Sequence, residues 1–144
     1  MEEVIARGNI SLHRRAGSWE EAIRVAAAPL EECGSIEASY TNRMIESVKR
    51  LGPYMVIMPG LALAHAAPGA DVRVSDLSIA VFDADVRFHC DNDPVRIVMC
   101  LACTDREAHL ARLQRMAEKL MDTAFVDRMR ACESADELYS LLNE

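Results

Sequence analysis

The chain has 144 residues, one domain by size and long enough to bury a core without disulfide or metal staples. Hydrophobic residues make up 51% and charged residues 27%, a globular balance that excludes disorder over most of the length. Lys and Arg number 16 against 23 Asp and Glu, and the net charge of -7 repels nucleic acid and anionic membranes while favouring basic partners.

The chain opens Met1-Glu2-Glu3, which is acidic and lacks the basic-then-apolar pattern of a signal peptide. No apolar run is long enough to span a bilayer, so no direct membrane insertion is expected. The 5 cysteines are an odd count, which points to a reducing cytoplasm rather than a disulfide framework. One domain over 1–144 is the expectation.

Residues 9–12 read as a short strand. Ser18-Trp19-Glu20-Glu21 is a capping box, a hydroxyl followed three residues later by a carboxylate, and opens a helix through about residue 32. Gly34 ends it. A second helix runs over 38–50 and stops at Gly52-Pro53, with Met44, Ile45, Val48 and Leu51 on its buried face. Residues 54–58 are continuously apolar and read as a buried strand. Pro59-Gly60 turns the chain into a short extended piece, 61–64, that ends at His65. The segment 66–71 carries Pro68 and Gly69 and reads as a loop.

Residues 77–82 and 86–88 read as two strands joined by a turn at Asp83-Ala84-Asp85. After a turn at 91–94 comes the strongest strand, 95–103, apolar on both faces apart from Arg96. Thr104-Asp105-Arg106-Glu107 is a second capping box, and its helix runs to about 121 with Leu110, Leu113, Ala117, Leu120 and Met121 near one stripe. A short helix at 124–131 follows, and Ser134-Ala135-Asp136-Glu137 opens the last one. Helices, then strands, then helices predict an α/β fold: a central mixed β-sheet with helices on both faces.

Two histidines stand where chemistry is common. His65 ends a strand among small residues, Leu63-Ala64-His65-Ala66-Ala67, which leave an imidazole accessible to a partner. His109 lies about one turn into the helix opened at Thr104, near unsatisfied N–H groups and the positive end of the helix dipole, where a phosphoryl group finds donors. Each alone is more often an ordinary surface or helix histidine; the pair gains meaning only if the fold brings it together. Cys100-Leu101-Ala102-Cys103 has the spacing of a zinc or redox site, but residues three apart on a strand point to opposite faces, and a core role is expected. No metal or cofactor is expected. Trp19 packs on the core or on a neighbouring chain, leaving a homodimer open.

Taken in order, several of these features resemble one family. Trp19-Glu20-Glu21-Ala22-Ile23, Tyr40, Gly52-Pro53-Tyr54, Pro59-Gly60-Leu61-Ala62-Leu63-Ala64-His65-Ala66, Asn92-Asp93-Pro94-Val95 and Thr104-Asp105 with His109-Leu110 look like the mannitol/fructose-type IIA component (EIIA) of the bacterial phosphoenolpyruvate-dependent sugar phosphotransferase system. Gly-Pro-Tyr and Asn-Asp-Pro-Val are similar to its ascorbate-type subgroup. The resemblance spans roughly 10–142. It implies the mannitol-type IIA fold. It also implies a phosphotransferase that takes a phosphoryl group from the phosphocarrier HPr on His65 and passes it to a cysteine of a IIB partner for sugar uptake. His109 matches the family's second active-site histidine. Imidazole suits the task, since its ordinary pKa of about 6.5 leaves a neutral nucleophile at pH 7.

Three positions depart from the family's pattern. Ala64 stands where Pro is usual, Ala67 where ascorbate-like members commonly carry Arg, and Ser47-Val48 where mannitol-type members carry an Arg in the helix before the strand. Lys49, Arg50 and Arg73 are the cations available to compensate. The alternative function is a regulatory IIA-like module whose phosphorylation state controls partner proteins rather than transport.

Overall fold

Strand-sized apolar runs must share one covered sheet if both of their faces are to leave water. A computed structural model of the chain describes residues 5–120 and 122–143, without the side chains of 108–110, 112, 113, 116 and 117. After a 3-10 turn, Arg7–Asn9, the elements are β1 (Ile10–Arg14), α1 (Trp19–Glu32), α2 (Ala38–Leu51), β2 (Val56–Met58), β3 (Leu61–His65), β4 (Asp76–Val86), β5 (Val95–Ala102), α3 (Arg106–Leu120), α4 (Thr123–Ala131) and α5 (Ala135–Leu142). Among the described residues the strands form one sheet in the order β1-β4-β5-β3-β2. The β1–β4 and β3–β5 pairs are parallel, whereas β4–β5 and β2–β3 are antiparallel. This is the mixed sheet that the order of elements predicted.

Strand side chains alternate between two cores. Ala62, Ala64, Ala80, Phe82, Val98, Cys100 and Ala102 pack with α1 and α2. Leu61, Leu63, Leu77, Ile79, Ile97, Met99 and Leu101 pack on the other face with Leu120 of α3, Val126 and Met129 of α4, and Leu138, Leu141 and Leu142 of α5. The alanines are on one side only. They meet Ala22, Ala26 and Ala27 of α1, so backbone approaches backbone closely there. Ser78 uses that closeness: fully buried, its hydroxyl donates to the Ala26 carbonyl at 2.6 Å. Cys100 and Cys103 fall into opposite cores, as their spacing requires. Burial pushes the Cys100 thiol up to about 12, so it stays protonated and inert at neutral pH.

Two of the capping boxes close as expected. Ser18 Oγ accepts from the Glu21 N–H at 3.2 Å, and Ser134 Oγ accepts from the Glu137 N–H at 3.2 Å. Helix α3 begins at Arg106, and the Thr104 N–H donates to Ser75 Oγ at 2.9 Å, tying the start of α3 to the lead-in of β4.

Two strand expectations are corrected. The segment 77–88 is not two strands around a turn; β4 runs unbroken over Asp76–Val86, with a register irregularity between Val81 and Val86. The acidic residues that suggested a turn are bound across the sheet: Arg96 pairs with Asp85 at 2.7 Å and donates to the Asp83 carbonyl at 3.0 Å. The run 54–58 is not a buried strand throughout. It forms only the three-residue edge strand β2, with Tyr54 40% and Ile57 42% exposed, because β3 covers one edge and nothing in the sheet covers the other. The predicted stripe partners Leu110, Leu113, Ala117 and Met121 lie outside the described residues or side chains. Among the described residues no helix is long and apolar enough to cross a membrane.

The Ser78 bond joins α1 to the middle of the sheet in a dry site. Ser78→Ala should lower the unfolding free energy by about 1 kcal/mol, read from the urea midpoint at unchanged slope. An unmoved midpoint would mean that the bond adds nothing to stability.

Candidate active site

Parallel strands leave a sheet at the same edge. β3 and β5 pair in parallel with His65 opposite Leu101. The chain beyond β3 therefore carries His65 into its loop at the edge where the chain beyond β5 enters α3. His109 falls within the span of α3, so the topology brings the backbones of both predicted residues to one edge. The side chain of His109 lies outside the described residues.

His65 is half-buried, and its Nδ1 lies 2.8 Å from the carbonyl oxygen of Leu63. A carbonyl can only accept, so Nδ1 carries the proton in the neutral ring and Nε2 carries the lone pair. Ala64 is fully buried and Ala66 nearly so, both in the core against α1 and α2. The ring of Tyr54 stands edgewise to that of His65, with centroids 5.4 Å apart at 86°. Its phenol donates to the His65 carbonyl at 3.2 Å.

The backbone after His65 is held from α2. Tyr40 shares the buried face of that helix with Met44 and Val48. Its hydroxyl donates to the Leu101 carbonyl at 2.8 Å and accepts the Ala66 N–H at 3.0 Å. One oxygen thus ties β5, α2 and the first residue of the loop. Burial pushes the Tyr40 phenol well above its ordinary value, so it remains a donor. Further along, Arg43 grips Asp71 through two bonds of 2.9 and 2.7 Å, and Ser39 donates to the same carboxylate at 3.1 Å. A Cβ at position 69 would meet Arg43 Nη2 at 2.8 Å, so Gly69 lets the loop pass over the guanidinium.

The departures take physical form here. Ala64 sits inside β3 opposite Cys100, where strand pairing rather than a proline ring orders the backbone. Ala67 is exposed and brings no charge. Of the compensating cations, Lys49 lies 3.6 Å from Glu46 and Arg73 3.2 Å from Glu37, both exposed pairs of small energetic weight. Burial raises the Tyr54 phenol, opposed by the Ser47 side chain and then by the charge of Arg50.

Other residues noted in the sequence belong elsewhere. Asn92-Asp93-Pro94 precedes β5 and so lies at the opposite edge. There the Asp93 carboxylate accepts N–H groups of Phe88, His89 and Cys90 at 2.9, 2.8 and 3.2 Å. Burial raises its pKa, but those donors outweigh burial and hold it below the usual range. Trp19 is partly buried against Phe88, ring centroids 6.0 Å apart. Among the described residues no three His, Cys, Asp or Glu side chains gather as a metal site. Sequence reasoning assigned no role to Tyr40, Arg43, Tyr54 or Asp71. Only Tyr40 carried a signal, a phenol on an apolar helix stripe that needs a partner.

The family described as phosphoenolpyruvate-dependent sugar phosphotransferase system, EIIA 2 has a model that matches residues 3–144. A curated relative, the ascorbate-specific PTS system EIIA component of Salmonella choleraesuis, is 32% identical over 146 residues, covering 99% of this chain and 95% of that one. Among solved structures, the Escherichia coli complex of mannitol enzyme IIA with phosphorylated enzyme IIB matches with a TM-score of 0.83 and 27% identity, over 96% of both chains. The cryptic mannitol enzyme IIA CmtB from Escherichia coli matches in fold, with a TM-score of 0.88 at 23% identity, over 97% of this chain and 95% of that one.

Two expectations follow from the geometry. Tyr40→Phe strips a buried hydroxyl from two backbone partners. It should cost about 1–3 kcal/mol of stability and speed hydrogen exchange at the Ala66 amide. Wild-type values for both would show that the clamp does not hold the loop. Asp71 is the second case. The bond from Arg43 holds its carboxyl below the usual range, so the folded value lies under the unfolded value of about 3.9. The stabilisation is fully present above that unfolded value and is lost as pH falls through the folded one. The gap in Tm between wild type and Asp71→Asn should hold from about pH 7 to 5 and close below about pH 3.9.

Proposed function

The chain belongs to the phosphoenolpyruvate-dependent sugar phosphotransferase system EIIA 2 family, whose members are phosphotransferases that carry a phosphohistidine intermediate, and we propose that His65 carries it here. The observation that carries this reading is the bond from His65 Nδ1–H to the Leu63 carbonyl. It leaves the lone pair on Nε2, at a strand end where a partner can approach.

In the proposed reaction phospho-HPr is the donor. The Nε2 lone pair attacks phosphorus, a P–N bond forms, and the bond from phosphorus to the donor breaks with its electron pair returning to the donor. The Nδ1 proton stays on the ring, and its hydrogen bond to the Leu63 carbonyl stabilises the positive charge that develops on the imidazole. In the second step a thiolate of the IIB partner attacks phosphorus and Nε2 leaves with its pair. The neutral Nδ1–H tautomer is thereby restored. Phosphoryl transfer asks for positioning and charge stabilisation more than for covalent machinery. His109 is the second active-site histidine, a donor to the phosphoryl oxygens. The IIB assignment draws support from the neighbour solved as a complex of enzyme IIA with phosphorylated enzyme IIB. Ascorbate, printed in the names of several relatives, is the sugar to test first. The reading treats 1–144 as one domain acting on the cytoplasmic side of a transporter.

Phosphoenolpyruvate, Enzyme I and HPr, mixed with the protein, should give a single phosphoryl adduct by intact mass, mapped to His65. His65→Ala should give none. His109→Ala should still be modified at His65 but about tenfold more slowly or worse. An adduct on the His65→Ala protein would overturn the assignment.

A further inference from the structure

Tyr54 is an exposed aromatic whose two ends both engage one residue. It precedes the edge strand β2 and is 40% exposed, so it contributes little to either core. Yet its ring lies 5.4 Å from the His65 ring at 86°, and its hydroxyl donates to the His65 carbonyl at 3.2 Å. The first contact bears on the side chain of His65 and the second on its backbone. Together they fix the imidazole relative to its own main chain.

The neighbours of His65, Ala64 and Ala66, turn into the core against α1 and α2, away from the imidazole, so neither sets its rotation. Rotation about the last side-chain torsion of histidine is broad and roughly two-fold. A half-turn would put a ring carbon against the Leu63 carbonyl and swap the nitrogen offered outward. We propose that Tyr54 is a positioning residue for His65, holding the ring in the orientation in which Nδ1–H meets the Leu63 carbonyl and Nε2 faces the phosphoryl donor. The edgewise ring contact resists the half-turn, and the phenol bond keeps the two rings at a set distance. The inference rests on the reading of His65 as phosphoryl acceptor. Misplacement of a reacting atom by about 1 Å costs on the order of 100-fold, so loosening this brace should be visible in transfer.

Tyr54→Phe, Tyr54→Leu and Tyr54→Ala, made in the full chain, separate ring from hydroxyl. Two quantities are measured beside Tm: the share of the Nδ1–H form of His65 from its ring 15N shifts, and the rate of phosphoryl uptake from phospho-HPr. The Leu and Ala variants should lose much of the Nδ1–H form and take up phosphate about tenfold more slowly. Phe should restore most of both. Should Ala fail to fold, the Leu and Phe pair decides. Wild-type ring populations in the Leu variant would overturn the proposal, whether uptake is normal or slow, because a merely structural role lowers Tm without moving the tautomer. If the wild-type protein takes no phosphate on His65, the acceptor reading fails, while the 15N populations still decide whether Tyr54 orients the ring.

Discussion

Parallel pairing of β3 with β5 is the constraint on which the site depends. With His65 opposite Leu101, both chains must leave the sheet at the same edge. A parallel pair needs a long crossover, and here it supplies the loop after His65 and β4, while the chain leaving β5 at the same end becomes the helix that carries His109. Had β3 paired antiparallel with β5, the two histidines would stand at opposite ends of the sheet. The antiparallel β4 between β1 and β5 then brings Ser75 and Asp76 to that same edge, where Ser75 receives the Thr104 N–H.

A shared edge gives proximity, not precision. Precision comes from polar groups reaching out of α2 and its C-terminal extension. Tyr40 binds the backbone on either side of the site, Arg43 anchors the far end of the loop through Asp71, and Tyr54 lies against His65 itself. The buried bonds carry the most weight, because a buried donor or acceptor left unmade costs more than a made one contributes. By the same measure the exposed pairs of Lys49 and Arg73 contribute little. The result is an imidazole at a strand end whose backbone is held on both sides by buried bonds.

Much of the fold was legible because burial leaves a periodic trace. Strand β5 read correctly as an apolar run and β3 as a short extended piece ending at His65, and α1 and α5 were announced by hydroxyl caps whose bonds close in the structure. The failures share one cause. Asp83 and Asp85 look like turn residues locally, and only Arg96 on the neighbouring strand lets the chain run straight through them. Residues 54–58 look buried because they are apolar, yet an edge position exposes Ile57. His65 stood out through its strand-end setting and family motif. The bonds of Tyr40, Arg43, Tyr54 and Asp71 could not be read from the chain because their partners are 11 to 61 residues away.

The sequence by itself determined the class of the fold, the alternation of side chains between two cores, the opposed burial of Cys100 and Cys103, and the choice of His65 as the residue to watch. These follow from local spacing, since strand and helix periods decide which side chains share a face. Strand order and direction were decided only in the tertiary structure. So were the tautomer of His65, set by a carbonyl within its own strand, and the tyrosine contacts that brace it. These depend on which distant backbone groups finish within about 3 Å of one another, and hydrogen bonds of that reach are specified by packing rather than by pattern.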